Sequence, residues 1–241
     1  MERPSFSFII CAYNEENYIG PCIDAINVEM KLYNGYYPFE IIVVDDGSTD
    51  GTWLKACREN VRVLAEAHKG ISASRQKGLQ EAKYEYCAMI DADDRMPRGW
   101  LEIALNSFEV DPTVVAVSGP IRFYDTPEYL NTAAKNFYKL ARFFHQWYPT
   151  IQGGNYIAKR DALNKAIAYN PQLDFWGEDT YTAVKLAAIG KITLNPQMVM
   201  NTSGRRLIQS GAVKTTTQYI MNYISGHILK RPVLFKHEDF R

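Results

Sequence analysis

Phe39-Glu40-Ile41-Ile42-Val43-Val44-Asp45-Asp46-Gly47-Ser48-Thr49-Asp50-Gly51-Thr52 is the stretch on which the reading of the fold turns. The apolar run before Asp45 is the pattern of a strand buried on both faces, as in a parallel sheet covered by helices. Two carboxylates end it. Gly47 allows a tight turn, and Ser48, Thr49 or Asp50 can cap a helix over Thr52 to Glu59.

The same grammar recurs on either side. Ser5 to Ile10 reads as a first strand, ending where Ala12-Tyr13-Asn14 turns outward. Asn17 is a candidate cap for a helix carrying Tyr18, Ile19, Cys22, Ile23 and Ile26 at helical spacing, with Pro21 near its start. Further along, Val61 to Glu66 suggests a strand and Ser72 to Ala82 a helix. Tyr86 to Ile90 is a second buried strand, followed at once by Asp91-Ala92-Asp93-Asp94. A helix over Pro97 to Phe108 and a strand over Val114 to Ser118 complete the alternation, which implies parallel pairing. Ligands of such open sheets bind outside the carboxyl ends of the strands, where both acidic clusters fall.

The second half is less regular. Pro127 to Trp147 reads as an aromatic-rich helix and Gly153-Gly154 as a break. Arg160 to Tyr169 and Thr180 to Ile189 look helical, with a short strand near Ile192 to Leu194. At 241 residues, with no repeat or low-complexity linker, one domain is expected. Residues 1–120 would form a donor half, and residues 121–241 an acceptor half with a C-terminal extension.

Composition narrows the function. Lys plus Arg and Asp plus Glu both total 27, so the chain lacks the basic surplus of a general nucleic-acid binder. Cys11, Cys22, Cys57 and Cys87 form no Cys-x-x-Cys pair and read as small buried hydrophobes of a reducing cytosol. Met1-Glu2-Arg3-Pro4 has no signal-peptide layout, and no run approaches the roughly 20 apolar residues of a membrane span. A cytoplasmic protein is expected, so the glycosylation pattern at Asn201-Thr202-Ser203 is a chance match.

Asp91-Ala92-Asp93 places two carboxylates close enough to repel unless a cation or hydrogen bonds absorb the charge. Mg2+ and Mn2+ favour such oxygens and complete their shells with phosphate and water. At Asp45-Asp46 a carboxylate can accept hydrogen bonds from a base N–H or a ribose hydroxyl. Gly-x-Gly-x-x-Gly does not follow the first strand, which argues against a dinucleotide dehydrogenase, and no Gly-x-x-x-x-Gly-Lys-Ser/Thr loop occurs.

Together these segments resemble an inverting family 2 glycosyltransferase of the GT-A fold, an α/β fold with one Rossmann-like domain and a mostly parallel sheet flanked by helices. The resemblance spans roughly residues 5–195. It rests on Ala12-Tyr13-Asn14-Glu15, Val44 to Thr52, Gly70 to Gly78, Asp91 to Asp94 and Trp176-Gly177-Glu178-Asp179. Cys11 stands where Pro is common, and Gln76 where Asn usually follows the Arg. The resemblance implies that Ala12, Tyr13 and Glu15 line a nucleoside pocket, and that Asp46 or Asp45 reads the base. Arg75 would lie beside the donor, with Asp91 near the ribose, sugar or metal and Asp93 as a direct ligand of Mn2+ or Mg2+. Asp179 would be the catalytic base, with Glu178 as the second candidate. The implied donor is a nucleotide diphosphate sugar, a UDP-sugar first, and the acceptor a glycan or lipid-linked hydroxyl in cell-surface polysaccharide or glycolipid synthesis.

Four further features each admit a plainer reading. Arg205 and Arg206 suit diphosphate binding, or belong to a solvated basic loop. His227 is a candidate metal ligand, against a lone surface histidine, while His68, His145 and His237 have no evident partner. Trp176 is a candidate acceptor platform or a core aromatic. Along Phe137 to Tyr148 basic and aromatic residues alternate by face, which suits a helix packed over the acceptor cleft or one resting on the inner face of a membrane. The packed helix is the simpler expectation. Two competing functions remain: a sugar nucleotidyltransferase, which would usually carry a Gly-rich basic loop where Cys11 to Glu15 stand, and a non-catalytic nucleotide-sugar-binding protein.

Overall fold

Alternation along the first strand, β1 (Phe6–Ala12), sorts the core into two layers. Phe6, Phe8 and Ile10 face one side, against Ile19, Ile23 and Ile26 of α1 (Ile19–Lys31) and Trp100 and Leu101 of α4 (Trp100–Val110). Ile9 faces the other, with Leu79 of α3 (Ile71–Glu81), Leu163 of α6 (Arg160–Ala166) and Leu186 of α7 (Glu178–Ala187). The computed structural model describes residues 3–67, 70–166, 178–211 and 221.

The main sheet has seven strands in the order β3-β2-β1-β4-β7-β5-β8. They are β1, β2 (Phe39–Asp45), β3 (Val61–Ala65), β4 (Tyr86–Asp91), β5 (Val114–Ser118), β7 (Asn155–Lys159) and β8 (Lys191–Leu194). β1 pairs in parallel with β2 and β4, β2 with β3, and β5 with β8. β7 runs antiparallel between β4 and β5. A two-stranded sheet joins β6 (Ile121–Phe123) to β9 (Met200–Thr202). The remaining helices are α2 (Thr52–Ala56), α5 (Glu128–Phe144) and α8 (Arg205–Ser210).

Several expectations are corrected. Tyr18, not Asn17, precedes α1, and no side chain caps that end; the turn closes through the Ile19 N–H on the Glu15 carbonyl, 2.9 Å. α2 stops at Ala56, short of Glu59. α5 carries no buried residue, so it is not packed into the core as expected, although one of its sides lines a cavity shared with Asp91 and Asp93. His145 does have partners: its Nε2 meets the Ile192 carbonyl at 2.9 Å, and its Nδ1 accepts the Thr150 N–H at 3.2 Å. All four cysteines are free, as read, though Cys57 is exposed.

A buried carboxylate locks the two helices of the first layer together. Glu29 of α1 is fully buried and accepts the N–H groups of Gly99 and Leu101, at 2.7 and 2.9 Å, at the start of α4. Gly99 itself has a left-handed backbone, φ 83°, and no side chain with which to cap that helix. The distant acid supplies the missing acceptor and favours the positive end of the helix dipole. Glu29→Ala is expected to cost roughly 2–3 kcal/mol by orphaning both donors, seen as a lower urea midpoint with an unchanged slope.

Candidate active site

Strand register brings the acids to one edge. Ala12 ends β1 opposite Asp45, which ends β2, and Cys11 pairs with Asp91 at the end of β4. Because β7 runs the other way, its start and the preceding Gly153-Gly154 arrive at the same edge. A Cβ on Gly154 would lie 2.6 Å from carboxylate oxygens of both Asp91 and Asp94, so only glycine permits this approach.

The loops after β1 and β2 are laced together by short polar side chains. Ser48 Oγ accepts the Asn14 N–H at 2.9 Å, Thr52 Oγ1 that of Glu15 at 2.7 Å, and Asp50 that of Glu16 at 3.1 Å. In return Asn14 Oδ1 accepts the Thr49 N–H at 2.8 Å, and Asn14 adopts φ 52°. Gly51 precedes α2 and no side chain caps it, so none of Ser48, Thr49 or Asp50 serves as the expected cap; Asp50 instead accepts the Thr52 N–H at 2.9 Å in the turn before the helix. Asp45 accepts the Ser48 hydroxyl, and Asp46 accepts the Gly70 N–H at 3.0 Å, where φ 87° calls for glycine. Both acids are buried.

Arg75, on α3, is the centre of the second group. Its guanidinium is 2% exposed and pairs with Glu178 at the start of α7, with Asp91 at 3.1 Å and with the Gly153 carbonyl at 2.9 Å. Burial alone would lower its pKa, but the two acids more than offset that and hold it above its ordinary value. Glu178 is lifted by burial against the pull of Arg75. Beside it, Asp179 is pushed up to about 7 by burial and then by the Glu178 charge, although it accepts the Thr180 N–H at 2.7 Å. Cys11 senses the same groups: burial raises its thiol to about 12, with Arg75 opposing.

Arg205 organises a third group. It pairs with Glu15, lies 3.4 Å from Asp93, and sits 4.2 Å from the ring centre of Tyr18. Burial and the neighbouring Asp91 raise the pKa of Asp93, opposed by Arg205 and Arg206. Asp94 is raised further by burial and by Asp91 and Asp93, and it accepts the Asp91 N–H at 2.9 Å. Asp91 and Asp93 are thus hard oxygen donors crowded by a third acid, a set whose charge a divalent cation would relieve. Among the described residues no three His, Cys, Asp or Glu side chains form a cation cage, so phosphate and water would complete the shell.

The structure therefore gathers Glu15, Arg75, Asp91, Asp93, Glu178 and Arg205 through direct pairs, with Asp179 next to Glu178 and with Ala12, Tyr13, Asp45 and Asp46 on the adjoining strand ends. Arg206 instead lines, with Asp91 and Asp93, a cavity of about 290 Å³ beneath α5. Trp176 and His227 lie outside the described residues. Three contributors went unread in the sequence: Tyr18 as a platform for Arg205, Gly153-Gly154, and Asn155. Fully buried Asn155 accepts from Trp100 Nε1 at 2.8 Å and donates to the Pro120 and Met198 carbonyls at 2.9 and 2.8 Å. Only a glycine pair before a short apolar run hinted at that position.

Known proteins share this fold. The chain is 34% identical over 118 residues to the cholesterol galactosyltransferase of Borreliella burgdorferi, covering 46% of this chain and 31% of that protein. It spans less than half the length of the curated relatives it matches. In three dimensions it is similar to the mannosyltransferase PcManGT from Pyrobaculum calidifontis, solved in complex with GDP-Man and Mn2+, with a TM-score of 0.75 and 24% identity over 97% of this chain and 66% of that one. It is also similar to glucosyl-3-phosphoglycerate synthase from Mycobacterium tuberculosis, solved with Mn2+, UDP-Glc and phosphoglyceric acid, with a TM-score of 0.60 and 22% identity over 92% of this chain and 79% of that one. These likenesses establish a GT-A architecture. Residues 7–167 match the model of glycosyl transferase family 2, and the chain belongs to that family.

Proposed function

We propose that the protein is a metal-dependent, inverting glycosyltransferase that moves a sugar from a nucleotide diphosphate donor to an acceptor hydroxyl. One observation carries the reading: buried Arg75 ties Asp91, at the end of β4, to Glu178, at the start of α7, and so sets the acid pair of α7 beside the Asp-x-Asp turn. In this reading residues 1–120 hold the donor and residues 121–241 the acceptor. The Mn2+ in both structural neighbours supports metal use, and their UDP-Glc and GDP-Man support a nucleotide sugar, with a UDP-sugar first among the candidates.

Ala12, Tyr13 and Glu15 line the nucleoside pocket, and the laced loops keep Asp45 and Asp46 placed to accept hydrogen bonds from base or ribose. Asp93 and Asp91 offer the cation their oxygens, while Arg205 and Arg206 turn guanidiniums toward the diphosphate. When bound, the cation stabilises the charge that collects on the departing diphosphate. The acceptor hydroxyl is a poor nucleophile, so Asp179 takes its proton as the new bond to the anomeric carbon forms and the bond to the diphosphate oxygen breaks. Displacement from the opposite face inverts that carbon. Glu178, held by Arg75, positions the helix end rather than accepting the proton. The acceptor is a glycan or lipid-linked alcohol of cell-surface synthesis, met on the cytoplasmic side; the sterol-directed relative supports the lipid option.

A carboxylate titrating at about 7 is protonated, and idle as a base, below that pH. Transfer under subsaturating acceptor is therefore expected to rise with pH through about 7 and then level off. Asp179→Asn should keep donor binding and lose roughly 100- to 10,000-fold in transfer; unchanged turnover would remove Asp179 from the mechanism.

The donor site is read independently by thermal shift with a panel of nucleotide diphosphates and nucleotide sugars, with and without Mn2+. A Mn2+-dependent rise in melting temperature with one of them is expected, and Asp93→Asn should abolish the metal-dependent part. No shift with any member, in wild-type protein, would overturn the reading.

A further inference from the structure

α5 is a strap rather than a core helix. Polar contacts pin it at both ends: Asn131 clasps the backbone of Phe123, accepting its N–H at 2.8 Å and donating to its carbonyl at 3.1 Å, and His145 bonds to the Ile192 carbonyl. From Leu130, just before the first pin, Ala134, Tyr138 and Ala141 follow at helical spacing, and the four roof a cavity that Asp91 and Asp93 also line. Tyr138, in that roof, has a buried hydroxyl without a hydrogen-bond partner. The cavity thus combines an apolar wall with carboxylates, and its roof carries an unmet hydrogen-bonding group.

The outer side of the same helix is also apolar. Leu140, Phe143 and Trp147 are 56%, 64% and 58% exposed, and the rings of Phe143, Phe144 and Trp147 cluster with centroids 5.1 to 6.4 Å apart. Lys135, Lys139 and Arg142 are exposed beside them, and no Asp or Glu occurs from Asn131 to Tyr148. In a chain of zero net charge, this is a local surplus of three cations on an aromatic face. Aromatic rings flanked by cations without acids suit the headgroup zone of an anionic bilayer, where rings sit at the boundary and cations meet lipid phosphates.

We propose that α5 docks on an anionic membrane surface and that the groove beneath it receives the apolar part of a lipid acceptor, bringing the acceptor's hydroxyl past Asp91 toward the α7 acid pair that Arg75 ties to it. This deepens the function proposed above and rests on it. Continuity argues for the route: the helix whose outer face meets the bilayer is the one whose inner face walls the path to the carboxylates. Among the described residues no helix is long and apolar enough to cross a membrane, so this contact is with the surface.

The test is flotation of the full chain with phosphatidylcholine vesicles with and without phosphatidylglycerol. Wild-type protein should float with the anionic vesicles, roughly a hundredfold better than with neutral ones from three cations near the surface. The triple variant L140S/F143S/W147S, altered only at exposed positions, should lose at least tenfold while keeping the nucleotide-dependent thermal shift. Wild-type protein that stays with neither vesicle, or a triple variant that floats as well as wild type, overturns the docking. So does a dimer in size-exclusion chromatography that the triple variant converts to monomer without any flotation, since a second copy would then own the face. For the groove, a pyrene-labelled long-chain alcohol should bind wild-type protein and lose tenfold or more in Ala134→Phe; equal binding by both sinks the groove assignment. Loss of the Mn2+-dependent nucleotide shift in wild-type protein that still floats would instead sink the transferase reading alone.

Discussion

A guanidinium buried beside two carboxylates is the constraint around which the site is arranged. Arg75 is 2% exposed, and taking such a charge out of water is tolerable only if every partner stays in place. Its partners come from three separate places: Asp91 from the end of β4, Glu178 from the start of α7, and the Gly153 carbonyl from the turn before β7. The ion pairs therefore fix the relative positions of three elements in one cluster. They also explain why β7 is inserted antiparallel: only that direction presents the start of the strand, with its two glycines, at the edge where β1, β2 and β4 end.

Around this cluster the chain spends polar groups on rigidity. Glu29 serves the start of α4 from another helix, and Asn155 joins β7, the Pro120 turn, the Met198 turn and Trp100 through a single side chain. The laced loops after β1 and β2 do the same for Asp45 and Asp46. Each buried polar group is matched to particular donors or acceptors, so a shift of one element leaves a group unmet. Acids held this way keep raised pKa values, because the surroundings cannot relax to solvate their charge, and Asp179 and Asp93 share that fate.

Much of this was legible in the chain. β1, β2, β4 and β5 are apolar on both faces and announce themselves as runs, and α1, α3 and α4 follow a helical period. The acidic clusters were readable because they end such runs. What escaped was set by distance along the chain. Arg75 and Glu178 are 103 residues apart, and nothing local marks them as a pair. β6 and β9 have three residues each, too few for any period, and β7 gains its direction only from its neighbours. α5 misled for the opposite reason. Its apolar residues imply burial, but apolar content says nothing about which neighbour covers it.

That ambiguity has a physical resolution in how the helix is held. A helix retained by packing would bury a stripe and need few polar ties; α5 buries no residue and is tied at Asn131 and at the His145 that follows it. His145 is neutral when it donates from Nε2 and accepts at Nδ1, and burial lowers its pKa, which preserves that tie near neutrality. Pinned by polar contacts, the helix can afford apolar side chains on both sides, one set facing the groove and the other facing outward. On the docking proposed above, both sets would find suitable surroundings, the outward rings at the headgroup boundary and the inward set along the groove.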